Sequence, residues 1–182
     1  MKTESSAAYI ARLAITLLLI TAVVAAALAA VNSVTAPKIQ TINEQKTQTA
    51  IEAVLPGGGE EIAFTDDSGI VSTIYKGQSG YAVEVTPAGF NGTVTMMVGV
   101  DNSGKALGLS IVNHTETAGL GAEAASQGAA GTAFRGQFAG MSGSVSVSKD
   151  GGQVDALTGA TITSRAVCDG VNAALACAAT LG

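Results

Sequence analysis

The apolar positions of this chain fall into distinct patterns, and each pattern predicts a different element. From Leu13 to Pro37 they run on almost unbroken, LAITLLLITAVVAAALAAVNSVTAP, with no charged residue. A helix rising about 1.5 Å per residue crosses the roughly 30 Å hydrocarbon core of a bilayer with such a run. Lys2, Arg12 and Ala27-Leu28-Ala29 imitate a signal peptide with its cleavage site. The apolar region of a signal peptide is only about 7–15 residues, however. The expectation is therefore a short tail over 1–12 and an uncleaved transmembrane helix over 13–36, bringing lipid in as a partner. Lys2 and Arg12 before the span balance Lys38 and Lys46 after it, so charge does not set the orientation. A short tail inside and the main domain outside is the simpler insertion route. It predicts a single-pass protein of the cell (inner) membrane with an extracytoplasmic domain.

Beyond the span the period becomes helical. Ile39, Ile42, Ala50, Val54 and Leu55 recur on one face between Lys38 and Leu55, Pro37 suits a first turn, and Pro56-Gly57-Gly58-Gly59 stops the helix. Residues 37–60 thus predict a linker helix. Further on the pattern shortens to strands rich in Val, Ile and Thr: Ile70–Tyr75, Tyr81–Thr86, Thr93–Val100 and Lys105–Val112, parted by turns such as Asp101-Asn102-Ser103-Gly104. Such close spacing favours an antiparallel meander. Ala122–Ala130 reads as a short helix, and Gly143–Ser148 and Gln153–Leu157 as two further strands. Ser164 reads as an N-cap, followed by an apolar stripe of Val167, Val171, Ala174, Leu175 and Ala178. The fold class expected is α+β, with helices packed on an antiparallel sheet over residues 61–182.

Composition narrows the function. Hydrophobic residues make up 47% and charged residues 13%, against about 25% charged in ordinary soluble chains. The anchor explains part of that imbalance. Trp is absent and aromatics are few, so the core is built from small aliphatics. The net charge is −5 and no basic cluster occurs, which argues against nucleic acid as a partner. Cys168 and Cys177 lie on opposite sides of one predicted helix, and no CxxC or Cys/His cluster accompanies them. They predict small buried thiols, with no metal site.

Asp155-Ala156-Leu157-Thr158-Gly159-Ala160-Thr161-Ile162-Thr163-Ser164 is the sharpest feature. It reads as a strand end, a turn of small residues and a helix start. The N–H groups of a helix N-terminus are unpaired and favour an anion, and Gly159 and Ala160 allow close approach. Taken alone, a Thr/Ser cluster before a helix is more often a simple cap. A second feature is His114-Thr115-Glu116-Thr117-Ala118-Gly119-Leu120-Gly121. His114 is the chain's only histidine, and no nucleophile or second carboxylate completes a hydrolytic site around it.

Thr158-Gly159-Ala160-Thr161, preceded by Asp155, resembles the flavinylation motif of FMN-binding domains. These occur in the G subunit of Rnf-type ferredoxin:NAD oxidoreductases and in the C subunit of sodium-pumping NADH:quinone oxidoreductases. The His114–Gly121 segment resembles a loop of the same family that lies against the flavin ring, with Ala118 where the family usually has Pro. Phe134 and Phe138 fall in the family's Phe-containing segment, and the short chain resembles the Rnf G subunit more than the longer sodium-pump subunit. The resemblance implies FMN joined covalently through its phosphate to Thr161, with Thr158, Gly159 and Ala160 in the cofactor seat. It implies that Glu116, Thr117, Gly119 and Leu120 contact the flavin. It further implies a flavin transferase that recognises Asp155 and Thr158–Thr161. The expected function is electron transfer within an Rnf-type, ion-translocating membrane complex, in which this chain is one subunit and no complete enzyme alone. Two alternatives stand beside it. One is a stand-alone flavinylated carrier serving another reductase; the other is a surface-anchored β-rich binding module without a cofactor.

Overall fold

The computed structural model describes residues 6–66 and 68–181, with side chains from Ala8 onward. Lys2, invoked above for orientation and for the tail, lies outside the described residues. The chain divides between Glu44 and Gln45 into two compact units.

Helix α1 spans Ser6–Val54 and contains Pro37. The predicted span and linker helix are thus one helix. Pro37 sits inside it and not at a first turn, which corrects the expectation. A proline there removes a single backbone donor, the one that would bond Ser33. The turns on both sides carry hydroxyl bonds, Ser33 Oγ to the Ala30 carbonyl at 2.8 Å and Thr41 Oγ1 to the Pro37 carbonyl at 3.1 Å. The apolar stretch meets the length and hydropathy of a membrane-crossing helix, and none of it is buried within the protein.

The second unit holds a five-stranded antiparallel meander in sequence order: β1 (Glu60–Ile62), β2 (Val71–Lys76), β3 (Gly80–Val85), β4 (Val94–Asp101) and β5 (Ala106–His114). β1 was not anticipated: its Glu60 and Glu61 are exposed, and its three residues show no apolar alternation. A 3-10 turn (Gly121–Ala125) and helix α2 (Ala129–Gly136) replace the single helix expected at 122–130. The C-terminal helix α3 is Thr161–Leu181.

Alternation assigns the two faces of the sheet. Val83 and Val85 of β3 and Met96, Val98 and Val100 of β4 face a core shared with Val167, Val171, Ala174, Leu175 and Ala178 of α3. The predicted stripe is therefore buried, and its Val and Leu side chains are worth roughly 1.5–3 kcal/mol each. α3 lies directly on the sheet at Gly170, where a Cβ would collide with the Met96 side chain. Phe134 and Phe138 complete this core edge to face, their centroids 5.4 Å apart. On the opposite face Ala82 and Met97 pack against Ala50, Ile51, Val54 and Leu55.

The strands expected at 143–148 and 153–157 do not form; a single parallel bridge, Val147 to Val154, stands in their place. The alternation was real, since Val145, Val147 and Val154 are all buried. The partner differs: the Asn172 side chain accepts from the Val145 N–H and donates to the Val145 carbonyl, each at 2.8 Å. A side-chain amide thus does the work of a neighbouring strand. Cys168 and Cys177 are free and buried. Burial pushes the Cys168 thiol up to about 11, which keeps it protonated and inert.

Candidate functional site

Two β-turns border one cleft. In the first, Thr117-Ala118-Gly119-Leu120, the Leu120 N–H donates to the Thr117 carbonyl at 3.2 Å and Gly119 takes φ +73°. In the second, Leu157-Thr158-Gly159-Ala160, the Ala160 N–H donates to the Leu157 carbonyl at 3.0 Å and Gly159 takes φ +75°. Glycine at the third position of a turn is what a positive φ requires.

The second turn feeds α3. The Ser164 N–H donates to the Ala160 carbonyl at 2.9 Å, the first intrahelical bond. Ala160 is therefore the N-cap, which corrects the reading of Ser164. Ser164 is buried one turn inside the helix, where its hydroxyl donates to the Ala160 carbonyl and accepts from the Leu157 N–H, both at 3.0 Å. Alanine has no side-chain acceptor to offer, so the N–H groups of Thr161, Ile162 and Thr163 stand uncapped ahead of the first intrahelical bond.

The three threonines sit very differently. Thr163 is buried and its hydroxyl donates to Glu116 Oε2. Thr158 is exposed at the turn. Thr161 is half-buried, and its Oγ1 accepts a hydrogen bond from Lys149 Nζ at 3.2 Å. Lys149 belongs to a 3-10 turn (Ser148–Asp150), whose Asp150 carboxylate holds Arg165 of α3 through two bonds of 2.7 Å. That bidentate bond holds the Asp150 carboxyl below the usual carboxylate range.

The other wall is centred on Glu116, which is buried. Its Oε1 accepts from the Asn91 N–H at 3.0 Å and its Oε2 from Thr163. Asn91 and Thr115 add two reciprocal bonds of 2.8 Å, so the loop at Phe90 is fastened to the end of β5. The Glu116 N–H donates to His114 Nδ1 at 3.3 Å, which makes the lone histidine a support for this turn. A Cβ on Gly121 would strike both Glu116 Oε2 and Thr163 Oγ1, so the two walls meet there.

Between the walls lies a cleft of about 360 Å³, within the range of small-molecule sites. Glu116, Thr117, Leu120, Gly159, Ala160 and Thr161 all border it. Gly119, Thr158 and Asp155 instead line a second recess, which Leu120 shares with the first. Phe90, Leu120 and Ile162 border the main cleft and remain 67%, 44% and 48% exposed. Phe90 and Lys149 lie outside the motifs, and Ile162 lies within the Asp155–Ser164 segment without having been given a role. Gln137 also lies outside them; its side-chain amide pairs with the Asp155 backbone at 2.8 and 3.1 Å and holds the approach to the second turn.

The arrangement suits a ligand with an anionic end and a flat apolar end. Uncapped N–H groups and an ammonium lie at one side, and exposed apolar side chains line the same cleft. A flavin mononucleotide has those two parts. Among the described residues no group of His, Cys, Asp and Glu is placed to hold a metal ion.

Comparison with known proteins bears on the same segment. Residues 89–176 match the FMN-binding domain family. The G subunit of the ion-translocating oxidoreductase complex of Methanosarcina acetivorans is 31% identical, over 91% of this chain and 93% of its own length. The G subunit of the Na(+)-translocating ferredoxin:NAD(+) oxidoreductase complex of Acetobacterium woodii is 34% identical, over 88% and 87%. The G subunit of the proton-translocating ferredoxin:NAD(+) oxidoreductase complex of Clostridium ljungdahlii is 40% identical over about half of each chain. With similarity of this extent, and a cleft suited to FMN inside the matched segment, the chain belongs to the family of G subunits of ion-translocating oxidoreductase complexes.

Proposed function

We propose that this protein carries FMN bound covalently to Thr161 and passes electrons as one subunit of a membrane-bound ferredoxin:NAD oxidoreductase complex that translocates ions. The observation that carries this reading is the Thr161 hydroxyl. It stands at the first residue of α3, bonded to Lys149, beside uncapped backbone donors. When bound, FMN supplies one- and two-electron redox chemistry, while the protein supplies attachment, orientation and electrostatics. Thr161 Oγ1 would hold the flavin through its phosphate, and a flavin transferase would form that ester. The remaining negative charge is favoured at the helix start by roughly 0.3–1 kcal/mol. Glu116, with both carboxylate oxygens engaged, fixes the wall that carries Thr117, Gly119 and Leu120. Leu120, Phe90 and Ile162 offer apolar surface to the ring.

Thr161 is favoured over its neighbours on local grounds. Thr163 is buried and committed to Glu116, and Thr158 is exposed at the second position of the turn, three residues before the helix start. Co-expression with a flavin transferase, followed by in-gel flavin fluorescence after denaturation, tests the assignment. Thr161→Ala should be dark, while Thr158→Ala should glow and yield a flavin-bearing peptide that contains Thr161. A fluorescent Thr161→Ala band would overturn it.

The accompanying organisation is a tail over 1–12, a membrane span over 13–36, a linker over 37–60 that is helical only as far as Val54, and an extracytoplasmic FMN-binding domain over 61–182. Its partners are membrane lipid, the flavin transferase and the other subunits of the complex. Protease added to intact spheroplasts should remove the domain; cleavage only after lysis would place it on the cytoplasmic side.

A further inference from the structure

We propose that Lys149 is the phosphate-binding cation of the site, held in place to position the phosphoryl group on Thr161. This rests on the attachment reading above and adds a residue to it. The motif that suggests attachment spans Asp155–Thr161, and Lys149 lies outside it. The fold brings the two together. The Val147–Val154 bridge closes a tight loop, and within that loop the 3-10 turn carries Lys149 back to the start of α3, where its ammonium donates to Thr161 Oγ1 at 3.2 Å.

Three features single out this lysine. Its neighbour Asp150 is occupied by Arg165, in two bonds of 2.7 Å, so the adjacent carboxylate is satisfied without the ammonium. The same clamp ties the 3-10 turn to Arg165, one turn into α3, which fixes the lysine's base relative to the hydroxyl. Finally, Lys149 borders the cleft shared by Thr161, Gly159 and Ala160. A phosphodiester on Thr161 Oγ1 places its two free oxygens two bonds beyond an atom to which this ammonium already donates. Lysine is a point charge with three rotatable donors, so it can turn from the hydroxyl to a phosphate oxygen without moving the loop.

The test uses the full chain in detergent with a flavin transferase and flavin dinucleotide. Attachment rates are measured for wild type, Lys149→Gln and Lys149→Arg, with the thermal midpoint of each recorded before and after loading. Attachment should be at least tenfold slower in Lys149→Gln and recover largely in Lys149→Arg, with unloaded midpoints unchanged. An equal rate but a smaller rise in midpoint on loading of Lys149→Gln would also support the assignment, as a contact with the attached phosphate. Equal rates together with equal rises would overturn it. So would a slow rate in both variants accompanied by a lowered unloaded midpoint, which would make Lys149 a structural part of its turn. Thr161→Ala is run alongside. If it takes up flavin, the attachment reading fails; if it stays dark while Lys149→Gln behaves as wild type, only the present inference fails.

Discussion

The turns Thr117–Leu120 and Leu157–Ala160 share a bonding pattern and a glycine at nearly the same φ, yet they border the cleft with opposite chemistry. Behind the first, polar groups are consumed. Glu116 spends both carboxylate oxygens on Asn91 and Thr163, and its N–H goes to His114. Behind the second, polar groups are left over, because Ala160 cannot cap α3 and, among the described residues, the lysine beside Thr161 bonds only its hydroxyl. The backbone shape of a turn therefore does not decide its role; the polar groups around it do. A saturated turn makes a wall, and an unsaturated one makes a seat.

The hardest blow to that contrast is to unsaturate the wall. Glu116→Ala leaves the Asn91 N–H and the Thr163 hydroxyl without their acceptor, at a cost of about 1–3 kcal/mol for each group that stays buried. Denaturant unfolding of the full chain in detergent should show the loss. An unmoved midpoint would mean that the wall does not depend on its carboxylate.

The smallest effect should be a gain. Ala118 occupies the second position of the first turn, where proline is favoured, and its N–H takes no part in the bonds that close the turn. Ala118→Pro should stabilise by about 0.4–1 kcal/mol through the unfolded chain and leave flavin attachment unchanged. A drop in stability on thermal melting would show that this turn is not built as described.

Much of this was legible from pattern. The β2–β5 meander announced itself through alternation and Gly/Asn/Asp turns, and the α3 stripe through its helical period. The Thr-Gly-Ala-Thr turn was legible because glycine and a helix start leave a local signature. Other features had no local signature to read. Lys149 reaches Thr161 only through a single bridge between Val147 and Val154. Phe90 reaches the cleft only because Asn91 is fastened to Thr115 and Glu116 across the β4–β5 pairing. The helix start was misplaced at Ser164 because an alanine cap gives no signal, while a serine one turn inside gives a false one. The segment 143–148 alternates as a strand does, yet Val145 is bonded by the Asn172 side chain, and 153–157 keeps only the Val147–Val154 bridge.

The position of Thr161 also has a mechanical consequence. It is a β-branched residue already in helical conformation, so its first side-chain torsion is confined to two wells. A group hung from it pivots on a bracket that is anchored through α3 into the core of the sheet. A long, freely jointed arm could carry its load between distant partners; a bracket holds it at one address. With the proposed attachment, the phosphate end of the cofactor is then fixed relative to the sheet, and its freedom lies in the bonds beyond the phosphate.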